Sequence, residues 1–209
     1  MPMNARLQLL DWAVKRDAYI FEDDYCCECR YDGMSALPSL QSLDTHDRVI
    51  YLGTTSKILS PALRLSYLVL PPALVEAWNE VFSREFNSVS WFIQEVLARF
   101  MASEQWAQYV HRTVNLYQNR HDLLIECLRN EFGDSIDIVG DEAGLHLLVA
   151  PQDDRNANAL ISLAREHDVR VYETDVYWTK PDHPMRNHVL MGFSSIEDEL
   201  VPEGVRALH

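Results

Sequence analysis

The sequence VIYLGTTSK at residues 49–57 decides the fold. The short apolar run at residues 48–52 predicts a buried strand, and the glycine that follows predicts where that strand ends. Three hydroxyl residues then lead directly into Lys57, and Arg64 follows seven residues later. Hydroxyl groups, the backbone N–H groups of a turn and a guanidinium fork are the groups that bind phosphate. The stretch therefore predicts a phosphate site beside a primary amine at the end of a strand.

The composition singles out Lys57 as well. The chain has 209 residues, and among its 18 basic residues only Lys15, Lys57 and Lys180 are lysines. Lysine, unlike arginine, can lose its proton and act as an amine nucleophile. Lys15 and Lys180 have polar neighbours typical of surface charges, whereas Lys57 lies between two apolar runs. A reactive lysine beside a phosphate site predicts pyridoxal 5′-phosphate (PLP), a cofactor whose aldehyde forms a Schiff base with lysine.

Another strand is predicted upstream, at residues 19–21, and it runs directly into Glu22, Asp23 and Asp24. Ligands of open α/β sheets bind at the carboxyl ends of the strands. PLP needs a carboxylate opposite its pyridine nitrogen to keep that nitrogen protonated. Asp23 is the candidate for this carboxylate, and Tyr25 is the candidate hydrogen-bond donor to the phenolic oxygen. The alternative interpretation of the acidic residues is a solvated loop or a helix cap.

Four segments carry a family resemblance: FEDDY at residues 21–25, LQSLD at 40–44, the stretch at 49–57 and PALRLSYLVLPP at 61–72. Together with AGLH at residues 143–146 and the later pair Gly192-Phe193, they resemble the aminotransferase-like domain of MocR-type regulators of the GntR superfamily. The resemblance implies an α/β architecture of the fold type I PLP-dependent transferases. It implies that residues 1–110 form the second part of the large PLP-binding domain, that residues 111–209 form a small α+β C-terminal domain, and that the domain is a homodimer.

The same resemblance assigns a role to each candidate residue. Lys57 is expected to form the Schiff base with PLP, Asp23 to face the pyridine nitrogen and Tyr25 to face the phenolic oxygen. Three residues are expected to lie at the phosphate: Thr54, Ser56 and Arg64. Regulators of this type begin with a winged helix-turn-helix and the first part of the PLP domain, and the resemblance begins only after both segments.

Three functions follow as hypotheses. The first is the PLP-binding effector module of a MocR-type regulator, without its helix-turn-helix, which senses a small amine, an amino acid or the cofactor itself. The second is a PLP-dependent class I/II aminotransferase, in which Lys57 also moves a proton as general acid and base. The third is a cofactor-free fragment that dimerises. The resemblance implies an arginine for a substrate carboxylate shortly after Gly192-Phe193, and Ser194 and Ser195 in that place favour the first hypothesis.

Charge, hydropathy and cysteine spacing argue against other classes. Asp and Glu number 32 against 18 basic residues, and a net charge of −14 argues against nucleic-acid binding by this chain alone. The sequence has no apolar run near the roughly 20 residues of a membrane span and no start typical of a signal peptide, so we expect a cytoplasmic protein. Cys26, Cys27 and Cys29 lack the fourth ligand of a tetrahedral zinc site, so we expect reduced thiols and no metal.

Overall fold

The computed structural model describes residues 1–31, 37–85, 87–153, 155–180 and 183–208. The chain divides into two compact units. The first consists of residues 1–28 and 35–111, and the second of residues 29–34 and 112–209. Each unit is built on a β-sheet of its own.

The first unit is a three-stranded sheet with helices before and after it. Its strands, in the order β1-β2-β3 across the sheet, are β1 (Ile20–Asp24), β2 (Val49–Thr54) and β3 (Ser66–Val69). Its helices are α1 (Met3–Lys15), α2 (Leu40–Leu43), α3 (Pro72–Phe82) and α4 (Trp91–Met101), with a short 3-10 helix at Pro61–Leu63. The strands predicted at residues 19–21 and 48–52 are therefore confirmed, and the apolar run at residues 65–70, which also predicts a strand, contains β3.

Strand direction brings particular chain ends together. β1 and β2 are parallel, with Asp23 opposite Leu52, whereas β3 runs antiparallel to β2, with Ser66 opposite Thr54. The carboxyl ends of β1 and β2 therefore share one edge of the sheet with the amino end of β3. We call this the carboxyl edge, and residues just after β1, just after β2 and just before β3 all lie at it.

Proline and polar residues set the helix boundaries that follow. Pro72 is the first residue of α3, a position where the missing N–H of proline costs no helical hydrogen bond. The sequence predicts a break between helices at residues 102–105, and the structure confirms it, because α4 ends at Met101 and α5 (Glu104–Phe132) begins at Glu104. The 29 residues of α5 carry the chain from the first unit into the second.

The second unit has an antiparallel sheet in the order β4-β5-β7-β6. Its elements are β4 (Ile136–Val139), β5 (His146–Pro151), α6 (Ala157–Glu166), β6 (Tyr172–Glu173), β7 (Val189–Gly192) and α7 (Leu200–Arg206). The apolar run at residues 169–172 predicts a strand, but the strand is displaced to β6, because the Val169 N–H donates to the Ala164 carbonyl (2.8 Å) and still closes the end of α6. Leu128, Leu147 and Phe193 lie in the core, each at most 1% exposed.

Residues 29–31 join the second unit through hydrogen bonds to the turn before β5. The Tyr31 N–H donates to the Glu142 carbonyl (3.0 Å), and the Gly144 N–H donates to the Cys29 carbonyl (2.8 Å). The Tyr31 hydroxyl donates to the Gly144 carbonyl (2.7 Å), and its ring packs edge-on against Phe193. Gly144 has a φ of +97°, which other residues rarely adopt. The AGLH motif therefore anchors an early segment of the chain to the second unit.

Candidate functional site

All the residues predicted to hold the cofactor lie in the first unit, at or beside the carboxyl edge. Asp23 belongs to β1, and Tyr25 follows that strand directly. Thr54 ends β2, and Ser56 and Lys57 lie in the turn that follows. Arg64 lies just before β3. The parallel pairing of β1 and β2 thus brings together side chains from three separate segments of the sequence.

The three consecutive carboxylates at the end of β1 have different surroundings. Glu22 accepts hydrogen bonds from the first two N–H groups of α2 (2.7 and 2.9 Å), so it caps that helix. Asp24 accepts a hydrogen bond from the Tyr51 hydroxyl (3.2 Å). Asp23 points to the opposite face of the sheet and is exposed. Within the described part of the chain, Asp23 is the one of the three whose carboxylate has no hydrogen-bond partner.

Asp24 has a structural role, and its surroundings raise its pKa. Burial raises the pKa of Asp24 above its ordinary value of 3.8, and the neighbouring Glu22 charge adds to this increase. The hydrogen bond from Tyr51 acts in the opposite direction but does not outweigh burial. The ionised form of Asp24 therefore carries a cost in the folded state.

We expect Asp24→Asn to flatten the pH dependence of stability in the acidic range. Because the folded state raises the pKa of Asp24, it holds this proton more tightly than the unfolded state does. The free energy of unfolding therefore falls as pH rises from 3.8 through the raised value. Asparagine has no proton to lose and can still accept from Tyr51. Thermal denaturation from about pH 4 to pH 7 measures the effect.

Asp23→Asn is the matched control, since it makes the same chemical change at the exposed neighbour. If Asp24→Asn and the unmodified protein lost the same stability over this pH range, the assignment of Asp24 as a destabilising buried charge would be wrong.

The turn after β2 is closed by hydrogen bonds at its base. The Thr54 hydroxyl donates to the Leu65 carbonyl (3.1 Å), accepts from the Ser56 N–H (3.2 Å) and lies 3.0 Å from the Ser56 hydroxyl. The Thr55 N–H donates to the same Leu65 carbonyl (3.4 Å), and the Thr55 side chain is buried. Thr54 therefore holds the loop of residues 55–65 closed. Of the three hydroxyl residues before the lysine, Ser56 is the one that this geometry leaves best suited to an anion.

Arg64 occupies an unusual backbone conformation at the other end of this loop. The 3-10 helix Pro61–Leu63 is capped by Ser60, whose hydroxyl accepts from the Ala62 N–H (3.2 Å). Arg64 ends this helix with a φ of +51° and has an exposed side chain. A left-handed backbone at a non-glycine residue costs about 1–3 kcal/mol and is concentrated at functional sites. The sequence indicates Arg64 as a candidate phosphate ligand by its spacing from Lys57. Only the structure shows that its backbone is strained.

Strand register gives roles that the sequence does not predict to Tyr67 and to Gly53, which lies inside β2 rather than at its predicted end. Tyr67 on β3 lies opposite Gly53 on β2, and a Cβ atom at Gly53 would come within 2.3 Å of the Tyr67 ring. The Tyr67 ring also packs against Tyr51, with 6.1 Å between ring centroids. Gly53 is therefore required for close packing of the tyrosine above it. Only the pairing of β2 with β3 reveals this role.

Another residue missed by the sequence analysis is Arg120 on α5, in the second unit. Its Nη1 donates to the Ser194 carbonyl, and its Nε donates to the Asp198 carboxylate (2.9 Å). An arginine therefore contacts the loop after Gly192-Phe193, although it comes from a distant part of the sequence. Its charge is already neutralised by Asp198.

Cys27, in the cysteine cluster, is not a reactive thiolate. Burial and the neighbouring Glu28 raise the pKa of Cys27 to about 12, so its thiol stays protonated at neutral pH. Cys29 is buried, and Cys26 is half-buried. Among the described residues, no group of three or more His, Cys, Asp and Glu side chains is arranged to hold a metal ion.

Comparison with known proteins identifies the family. Residues 3–183 match the family model "Aminotransferase class I and II". The chain belongs to this family. The aminotransferase-like chain is also similar over its full length to two bacterial regulators. It is 36% identical over 208 residues to the HTH-type transcriptional regulator YdeL of Bacillus subtilis (strain 168), and 30% identical over 209 residues to the probable rhizopine catabolism regulatory protein MocR of Rhizobium meliloti. It covers 44% and 42% of these relatives, so it spans less than half of their length.

Solved structures confirm the predicted fold type I architecture. The aminotransferase-like chain matches Pyrococcus horikoshii kynurenine aminotransferase, solved in complex with PMP, with a TM-score of 0.89 and 25% identity. The match covers 100% of this chain and 51% of the enzyme. The fold is also that of LysN, an α-aminoadipate aminotransferase of Thermus thermophilus, with a TM-score of 0.85 and 24% identity over 99% of this chain and 53% of that enzyme. Every helix in the described ranges is too short or too polar to span a bilayer.

Proposed function

We propose that this chain is the PLP-binding, aminotransferase-like effector module of an HTH-type transcriptional regulator, and that it responds to a small amine or amino acid. One observation carries the proposal: Asp23, Lys57 and Arg64 come to a single sheet edge in a chain that resembles YdeL and MocR over its full length. A homodimer in the cytoplasm is part of the same proposal.

The residues at the carboxyl edge fit PLP chemically. The exposed Asp23 would pair with the protonated pyridine nitrogen and hold the proton there, and Tyr25 would donate to the phenolic oxygen. Arg64 and Ser56 would bind the phosphate, while Thr54 keeps their loop closed. Lys57 would hold the aldehyde carbon covalently. When bound, PLP supplies an electron-withdrawing ring that activates amines.

Two positively charged side chains at the carboxyl edge support a binding site for the phosphate of PLP there. The chain carries a net charge of −14, so a phosphate ester approaching it needs local positive charge. Lys57 and Arg64 provide two exposed cations at the ends of one closed loop. Glu22 and Asp24, which would repel the phosphate, are engaged with α2 and Tyr51.

Reconstitution with PLP tests this proposal directly. The purified chain is mixed with PLP, reduced with borohydride and digested, and the pyridoxyl group is located by mass spectrometry. We expect one group per chain, on the peptide that contains Lys57. Label spread evenly over Lys15, Lys57 and Lys180, or no label beyond that of a denatured control, would contradict the proposal.

The family match and the likeness to a kynurenine aminotransferase favour an aminotransferase as the second candidate. Half-transamination separates the two functions. The PLP-loaded chain is incubated with a panel of amino acids, and conversion of bound PLP to pyridoxamine 5′-phosphate is followed by absorbance. Catalytic conversion would favour the enzyme, whereas amine-dependent spectral change without conversion would favour the sensor. A dimer by light scattering that never retains PLP would favour a cofactor-free fragment.

Arg64→Gly is expected to separate phosphate binding from stability. The substitution removes the guanidinium, so we expect the affinity for PLP to fall about 10- to 100-fold, the usual loss for a charge-assisted hydrogen bond. Glycine adopts a φ of +51° without strain, so the melting temperature should stay the same or rise. Equilibrium dialysis and thermal denaturation measure the two effects.

Arg64→Lys, which keeps the charge but loses the fork, is expected to bind PLP with intermediate affinity. Unchanged affinity in Arg64→Gly would remove Arg64 from the phosphate site.

A further inference from the structure

The second unit contains a cavity of about 190 Å³. Its walls come from α5, α6 and the strands β4, β5 and β7. The wall residues that matter here are apolar: Leu128, Val149, Leu160, Ala164, Val189 and Met191. All of them belong to the second unit, whereas the six candidate PLP residues belong to the first. The cavity and the site proposed for the cofactor therefore share no residue.

The cavity reaches into the core of the second unit. Leu128 and Ala164 are each 1% exposed, and Val149 and Val189 are 4% and 3% exposed. Protein cores are packed about as densely as organic crystals, so a void of this size leaves its walls without partner atoms. The cavity is open to solvent on one side, but water gains few hydrogen bonds against its aliphatic walls. An apolar guest would restore the missing contacts.

The cavity opens to solvent on one side, where the described charged residues of its lining are paired. The exposed residues of its lining are Ser135, Gln152, Asp153 and Arg155, so it opens to solvent there. Arg155 Nε donates to the Asp153 carboxylate (2.8 Å), and the two charges cancel. Among the described residues of the opening, a guest therefore meets neither an excess cation nor an excess anion.

We propose that this cavity is a binding site for a small uncharged apolar molecule, either a single aromatic ring or a branched aliphatic body. The volume of the cavity sets the size of the ligand, since an apolar cavity of about 150 Å³ is enough to bind benzene. Because the Asp153 and Arg155 charges at the opening are paired with each other, we expect the ligand to be uncharged. This site stands independently of PLP binding and of the regulatory function.

Toluene is the probe, added to the purified 209-residue chain. We expect a saturating concentration to raise the melting temperature by about 2–5 °C, because the guest binds the folded state alone. Ala164→Leu should fill the cavity, raise the melting temperature by about 1–4 °C without toluene and abolish the response to toluene. Ala164→Met is a second filling variant, whose flexible side chain adapts to the space.

Ala157→Leu is the matched control. Ala157 is 3% exposed on the same helix, seven residues earlier, but it does not line the cavity. The same enlargement there should overpack the core, lower the melting temperature and leave the toluene response in place. No response of the unmodified chain to toluene would overturn the proposal. An undiminished response in both Ala164 variants would overturn it as well.

Discussion

Lys57→Ala is expected to abolish covalent attachment of PLP. Borohydride labelling should fall from one pyridoxyl group per chain to the background of a denatured control. Alanine has no amine to attack the aldehyde, and the chain has only two other lysines, Lys15 and Lys180. Because Lys57 lies in an exposed turn outside the strands, the substitution should leave the fold intact. Mass spectrometry of the reduced protein measures the label, and circular dichroism checks the fold.

The scarcity of lysine provides unusually clean controls. Lys15→Ala and Lys180→Ala make the same change at the other two amines and should keep full labelling. Lys57→Arg keeps the positive charge but not the nucleophile, so it should bind PLP reversibly and lose the cofactor on dialysis. Labelling of Lys57→Ala at the level of the unmodified chain would exclude Lys57 as the attachment residue.

The largest expected effect on stability comes from Phe193→Ala. Phe193 is 1% exposed, and its ring packs edge-on against Tyr31 and His121. Truncating a buried phenylalanine to alanine costs about 3–5 kcal/mol, because apolar burial is lost and a cavity is left. For a protein of this size, the melting temperature should fall by about 6–20 °C. Urea and thermal unfolding measure the loss.

Phe92→Ala is the matched control, because Phe92 is 65% exposed on α4. The same truncation there should change stability by no more than about 0.5 kcal/mol. Equal losses in the two variants would show that Phe193 does not have the core role described here. A large loss in Phe193→Ala with normal PLP labelling would assign the Gly-Phe motif to stability rather than to cofactor binding.

Local pattern was enough to predict much of the fold. The apolar run that ends in carboxylates forms β1, and the run that is followed by glycine and hydroxyl residues forms β2. The paired prolines at residues 71–72 mark the start of α3. The strand predicted at residues 169–172 failed because apolar periodicity does not reveal that Val169 still closes α6. The family and its fold type I architecture followed from the motifs and are confirmed by the comparisons.

The sequence predicts which types of side chain form the candidate site, but not which structural role each side chain has. The sequence already indicates Asp23 as the candidate carboxylate, but only the structure shows that Asp24 accepts a hydrogen bond from Tyr51 while Asp23 stays exposed. Likewise, hydrogen bonding shows that Thr54 closes the turn. The roles of Lys57, Arg64 and the others toward PLP stay predictions.

The hydrogen bonds of Tyr31 have a consequence for the order in which the chain is made. Tyr31 and its partner Gly144 are 113 residues apart, so on the ribosome the early segment must wait for most of the chain to be synthesised. The second unit is therefore completed by residues that emerge long before the rest of it. A fragment starting at residue 112 would lack this closing segment and expose the apolar surface around Phe193. The two units are distinct in structure, but the second cannot be cut out of the gene as a continuous piece that leaves the first intact.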